Sequence, residues 1–298
     1  MIRRRTIGRL ALTLPWLAGC ASQPSDWAPS AGQVVDARSR RPLAAHEWQL
    51  RVQAAQYLLL GELHDNPHHH RQRGDWITRL PVGTPVVLEH LDAGARLRPP
   101  VGSDEAMLGA LVNQGFDAKA WRWPLHAPLM QAAARQDQVL LGGNLPRAEA
   151  RRIAREGHAA LPPALRELLD AAPLSAQAQA DLDEDLRAGH CQQLPASRLP
   201  AMRWAQRGRD AAMARVLQSA RRAYPDRQAV LLCGNGHVRR DYGVAQLLAH
   251  LEPGAAALSV GCVEAWPGDA PRAFDVLWIG PPTVRDDPCL AMTQPMLR

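Results

Sequence analysis

Six short apolar runs limit what this chain can become. They are QYLLLG (56–61), PVVLE (85–89), QVLLGG (138–143), QAVLLCG (228–234), AALSVGCV (256–263) and DVLWIG (275–280). Each is continuously hydrophobic, the pattern of strands covered on both faces. Between them lie longer stretches with helical spacing, at 67–80, 103–114, 126–136, 146–155 and 198–222. Strand and helix in alternation predict an α/β fold, three-layer α/β/α with a mostly parallel sheet. Residues 156–197, rich in Ala, Leu and Pro with two helical patches, read as a helical insertion. No repeat of fixed period interrupts this scheme.

The N-terminus sets the compartment. MIRRRTIGRLALTLPWLAGC has a basic start, a short apolar stretch and small residues before a cysteine. That is a secretion signal, too short to span a membrane as a mature helix. Leu17-Ala18-Gly19-Cys20 resembles the bacterial lipobox, which implies cleavage after residue 19 and lipidation of Cys20. Either general or twin-arginine export is compatible with Arg4-Arg5. Residues 21–33 then read as a flexible tether, and 34–298 as a single domain with a real core. Ala21 after the cysteine resembles the outer-membrane sorting pattern. The expected location is therefore the bacterial envelope, lipid-anchored on the periplasmic face of the outer membrane.

Charge needs the same correction. The formal net charge is +6, but Arg3, Arg4, Arg5 and Arg9 lie in the signal, so the mature chain carries about +2. Lys119 is the only lysine and the arginines are scattered. No basic stripe is left to track phosphates, and nucleic acid is excluded as a partner. Four cysteines remain in the mature body, Cys191, Cys233, Cys262 and Cys289. None forms a C-x-x-C pair; outside the cytoplasm they allow three disulfide connectivities. Cys233, inside an apolar run, also reads as a small buried hydrophobe.

Ligands in an open parallel sheet bind at the carboxyl ends of strands, and three runs deliver polar groups there. The first ends in Glu62-Leu63-His64, the second in Glu89-His90, the fourth in Asn235-Gly236-His237. If those strands are neighbours, Glu62, His64, Glu89 and His237 share one cleft. Asn66-Pro67 is a strong helix start, with Asn as cap and Pro at the first helical position. His68, His69 and His70 fall in its first turn, where the helix dipole keeps imidazoles neutral; His68 reads as merely exposed. Asp65 completes the candidate set on this segment. Further along, Met202, Gln206, Arg209, Met213 and Val216 share one helical stripe. Gln206 and Arg209 are then either satisfied core polars or cleft residues.

G-E-x-H-D-N-P-x-H-H (61–70), the strand-end Glu89, NLPR (144–147), AQRGRDAAMA (205–214) and G-N-G-H (234–237) together resemble the ChaN family of haem-binding bacterial lipoproteins. The likeness runs from about residue 45 to 252. It implies an α/β/α fold related to erythromycin esterases and Tiki/TraB proteins. It also implies haem held between two subunits of a homodimer and a link to iron acquisition.

Haem iron takes His, Tyr, Met or Cys, and there is no C-x-x-C-H attachment motif. His126, within WRWPLHAP (121–128), and Tyr242 are the axial candidates, with the first-turn histidines behind them. Trp121 and Trp123 read as core or as a haem wall. The competing class is a metal-dependent hydrolase, with zinc or manganese on His64 and His237 and with Glu62 and Glu89 as catalytic carboxylates. H-E-x-x-H and G-x-S-x-G are both missing, which weighs against an enzyme.

Overall fold

The computed structural model describes residues 30–287 and Cys289. The signal, Cys20 and most of the tether lie outside the described residues. Among the described residues, eight strands form one sheet. They are β1 (Val34–Asp36), β2 (Tyr57–Leu60), β3 (Pro85–Asp92), β4 (Arg96–Leu97), β5 (Val139–Asn144), β6 (Ala229–Leu232), β7 (Ala257–Val263) and β8 (Val276–Ile279). Their spatial order is β1-β8-β7-β2-β6-β3-β5-β4. The six inner strands run parallel and only the edges, β1 and β4, are antiparallel. Those six are the six apolar runs.

One face of the sheet carries α1 (Ala45–Ala54), α2 (Pro67–Ile77), α3 (Asp104–Val112) and α4 (Ala127–Arg135). The other carries α5 (Arg147–Glu156), α6 (Pro163–Ala171), α7 (Ala176–Gly189), α8 (Leu199–Ala223), α9 (Asn235–Val238), α10 (Val244–Leu251) and α11 (Ala270–Ala273). The fold is thus three-layer α/β/α. The segment 156–197 is helical as expected: α6 and α7 pack against the long α8. Among the described residues, no helix is long and apolar enough to cross a membrane.

Strand parity divides the core in two. Tyr57 and Leu59 enter the layer under α8, while Leu58 and Leu60 enter the layer under α2 and α4. Leu58, Leu59 and Leu60 have no exposed surface, and each contributes roughly 1.5–3 kcal/mol by leaving water. β3 alternates the same way, with Val87 on the α8 side and Val86 and Leu88 on the other. This parity decides where the polar strand-end residues point.

Of the four cysteines, Cys191 and Cys289 form a disulfide, tying the C-terminal segment to the loop between α7 and α8. Cys233 and Cys262 are buried thiols.

Candidate functional site

β2, β6 and β3 are consecutive in the sheet, so the three polar strand ends meet. The meeting is tight enough to require glycine. A Cβ on Gly61 would lie 2.3 Å from Asn235 Oδ1, and one on Gly234 would lie 3.0 Å from the His64 ring. The side chains then divide by parity into two half-sites.

Glu62 continues the parity of Leu58 and Leu60 and points under α2 and α4. There His70 Nδ1 lies 3.0 Å from its Oε2, and Arg73, fully buried, pairs with the same oxygen. His126 Nε2 and His90 Nε2 lie 3.5 and 3.6 Å from its Oε1. The local sequence explains the supply of nitrogens. Asn66 Oδ1 accepts from the His68 amide at 2.8 Å and starts α2, and the 3.6-residue period then puts His70 and Arg73 on its buried face. Burial pushes His70 down to about 4 and holds His90 and His126 well below the ordinary imidazole range.

Glu89 follows Val87 and points the other way, under α8. Its Oε1 accepts from Arg209 Nη2 at 2.5 Å and lies 3.3 Å from His237 Nε2; its Oε2 accepts from the Gly234 amide at 2.8 Å. His237 Nδ1 faces Asp210 Oδ1 at 2.6 Å, with Gln206 Nε2 3.2 Å from that nitrogen. Burial would raise the Glu89 carboxyl, but His237, His64 and Arg209 outweigh it and hold it well below its usual range. Burial would lower His237, but Glu89 and Asp210 raise it to about 9. His237 is therefore protonated at neutral pH, a cation locked between two carboxylates and unable to serve as a general base. His64 joins the half-sites: Nδ1 is 2.7 Å from Glu62 Oε1 and Nε2 is 3.9 Å from Glu89 Oε2.

The expected cluster of Glu62, His64, Glu89 and His237 is thus assembled, with its two carboxylates on opposite faces of the sheet. Gln206 and Arg209 belong to it. Other candidates sit elsewhere. Asp65 pairs with Arg285 at 2.7 Å, and Asn66 also donates to Glu264 at 2.6 Å. Asn235 exchanges hydrogen bonds with the Cys262 backbone. His69 Nδ1 accepts from the Leu63 amide, and its ring packs edge-on to Trp278; burial lowers it to about 4.

Neither axial candidate is exposed. His126 is sealed between α2 and the sheet, and the Tyr242 hydroxyl donates to Asp185 beneath α7. A cavity of about 670 Å³ opens at the strand ends beside Glu89 and His90, lined by Trp121, Leu145, Arg147, Arg151, His190 and Met202 among others. Sequence reasoning missed Arg73, Asp210 and His190. For the first two the signal was present: Arg73 falls three residues after His70, and Asp210 four after Gln206, on the same helical faces.

Residues 49–248 match the model of the family described as haem-binding uptake, Tiki superfamily, ChaN. The chain belongs to this family. Among solved structures it is similar to one described as cofacial heme binding to ChaN of Campylobacter jejuni. The TM-score is 0.64 at 18% identity, over 82% of this chain and 95% of that one. At that identity the likeness concerns the fold, and the fold is the ChaN fold. A mutant of the erythromycin esterase EreC in its open conformation is similar at a TM-score of 0.41 and 15% identity, covering 77% and 76% of the two chains. That likeness is too weak to argue from. No curated protein matches the chain.

Proposed function

We propose that this ChaN-family chain binds haem in the cavity beside Glu89. The observation that carries the reading is the lining of that cavity. Trp121, Leu145 and Met202 supply apolar walls, Arg147 and Arg151 supply cations suited to propionates, and His190 supplies an iron ligand. Its volume, about 670 Å³, falls in the range of ligand pockets. A second cavity of about 760 Å³ lies between α1 and the amino ends of β2 and β6, but no His, Tyr, Met or Cys lines it. The His190 Nδ1 is 2.7 Å from the Leu186 carbonyl, a bond that places the proton on Nδ1 and leaves Nε2 as the ligating nitrogen. His190 replaces His126 and Tyr242 as the axial residue.

Two further elements extend the reading. The lipobox-like Leu17–Cys20 supports a lipid anchor in the outer membrane, where a haem carrier would serve iron acquisition. The cavity is open on one side, and a second copy of the chain would cover exposed haem, giving a homodimer around the ligand.

The test is titration of the purified mature chain with haemin, followed by its Soret absorption. Wild type should give a Soret band that survives chelator treatment. His190→Ala should shift the band and weaken binding by about tenfold or more, and the Arg147→Ala, Arg151→Ala pair should weaken it without shifting it. A wild-type chain that produces no Soret change refutes haem binding. An unshifted His190→Ala spectrum refutes the ligand.

A further inference from the structure

The residue after His190 is Cys191, one end of the disulfide to Cys289. The turn that holds both is unusual. α7 stops at Gly189, yet the left-handed residues that follow are not glycines: Cys191 has φ +55° and Gln192 φ +58°. Residues with a Cβ seldom adopt that conformation, and two in succession persist only where the surroundings fix them. The Cys191 amide donates to the Ala188 carbonyl at 3.0 Å and the Gln192 amide to that of Arg187 at 2.8 Å. The Gln192 side chain donates to Glu184 at 3.2 Å, and the His190 ring meets the Leu186 carbonyl. These bonds all stay within α7 and its own turn. The disulfide ties the turn to a distant part of the chain.

That distant part is a strap laid on the carboxyl edge of the sheet after β8. The Pro281 carbonyl accepts from Asn66 Nδ2 at 3.0 Å, and the Thr283 amide donates to Glu264 at 3.1 Å. Arg285 pairs with Asp65 at 2.7 Å and with Glu264 at 2.6 Å. Residues 283–286 share a cavity of about 390 Å³ with Arg122, the neighbour of Trp121. From Asp286 to Cys289 the chain can reach at most about 11 Å. Trp121 and His190 both line the haem cavity, so the strap links one of its walls to the other.

We propose that the Cys191–Cys289 disulfide is a redox latch that positions His190, opened by a dithiol protein of the C-x-x-C class; its effect on haem rests on the reading of His190 given above. Oxidised, the latch pins the turn and aims the imidazole into the cavity. In the opening step a thiolate of the partner attacks one sulfur, the S–S bond breaks, and the partner's second thiol resolves the mixed disulfide. The latch takes up two electrons and two protons to give two thiols, and the partner leaves as a disulfide. Cys191 and Cys289 are partly exposed and within reach, whereas Cys233 and Cys262 are buried thiols outside the exchange. Without the tether the turn leaves its left-handed conformation, His190 loses its placement and haem is held more weakly. The Arg285 pairs keep the base of the strap in place.

The experiment uses the full mature chain. Native wild type is treated with dithiothreitol, then iodoacetamide, and mapped by peptide mass; Cys191 and Cys289 should be labelled while Cys233 and Cys262 are not. Amide hydrogen exchange from Arg187 to Gln193 should quicken at least about tenfold in the labelled protein and in Cys289→Ser, with β6 still protected. If Cys289→Ser does not fold, the labelled wild type is read in its place. Haemin affinity, titrated by Soret absorption without reductant, should fall about tenfold in both. In a His190→Ala background the same cysteine change should cost no further affinity, because the latch acts through His190. Exchange does not depend on haem, so a wild type without a Soret band refutes haem binding while the latch stands or falls on the turn. A native disulfide that resists dithiothreitol, or unchanged exchange once the bond is gone, overturns the latch. So does full haemin affinity without the disulfide in a chain that binds haem, or an equal loss in the His190→Ala background, which is the mark of a general staple.

Discussion

The locked cation at His237 contributes stability that is lost as the solution becomes alkaline. Its ring lies 2.6 Å from Asp210 and 3.3 Å from Glu89, with Arg209, Gln206 and His64 as the other polar groups facing the pair. Burial would lower its pKa, but the two carboxylates raise it to about 9, while in the unfolded chain it returns to 6.5. A pKa raised by folding stabilises fully below the unfolded value, and the benefit is lost as pH rises through the folded one. The gap of about 2.5 units, at about 1.4 kcal/mol per unit, amounts to on the order of 3 kcal/mol. Roughly 1.5 kcal/mol of that disappears between pH 6.5 and pH 8. Cys233 and Cys262, both pushed up by burial, act above this window, because the unfolded thiols ionise only near 8.5. His64, His69, His70, His90 and His126, all lowered by burial, act in the opposite direction over this window, but they are common to wild type and to a His237 variant. The comparison is therefore urea denaturation of the two, followed by circular dichroism at fixed ionic strength. His237→Gln should begin less stable, and its gap to wild type should shrink by roughly 1.5 kcal/mol between pH 6.5 and pH 8. A gap between the two proteins that stays constant or widens with pH would refute the reasoning.

Asn66→Ala removes both the α2 cap and a hydrogen bond to Glu264, and should cost about 1–2 kcal/mol in urea denaturation. Cys191→Ser opens a cross-link between residues 98 apart and should lower stability by about 2–4 kcal/mol, a difference that vanishes when both proteins are measured under reducing conditions. Cys20→Ala should move the chain from the detergent phase to the aqueous phase on partitioning; unchanged partitioning would rule out the lipid anchor.

The layers of this fold were legible because each inner strand is a continuous apolar run with no competing reading. The edges were not: β1 has three residues and β4 two, too few for any periodicity, and α1 buries only Trp48. The site divides along a similar line. The polar groups ending β2, β3 and β6 could be seen as a set, but their faces could not, because in a strand one residue of offset exchanges the two sides. The apolar pattern of PVVLE closes with Glu89, yet β3 runs on to Asp92. That extension sends Glu89 to Arg209 and His237 and sends His90 to His126 and Glu62. The same offset explains why one catalytic cluster of Glu62 and Glu89 was a natural expectation and why the sheet forms two half-sites instead. It also explains His126. A histidine before a helix reads as accessible, but α4 docks on α2, so its first residues are driven into the layer that Glu62 enters. His190 lay within the insertion, where Ala, Leu and Pro dominate and no strand end marks a site. Only the packing of α7 against α8 carries it to the cavity rim.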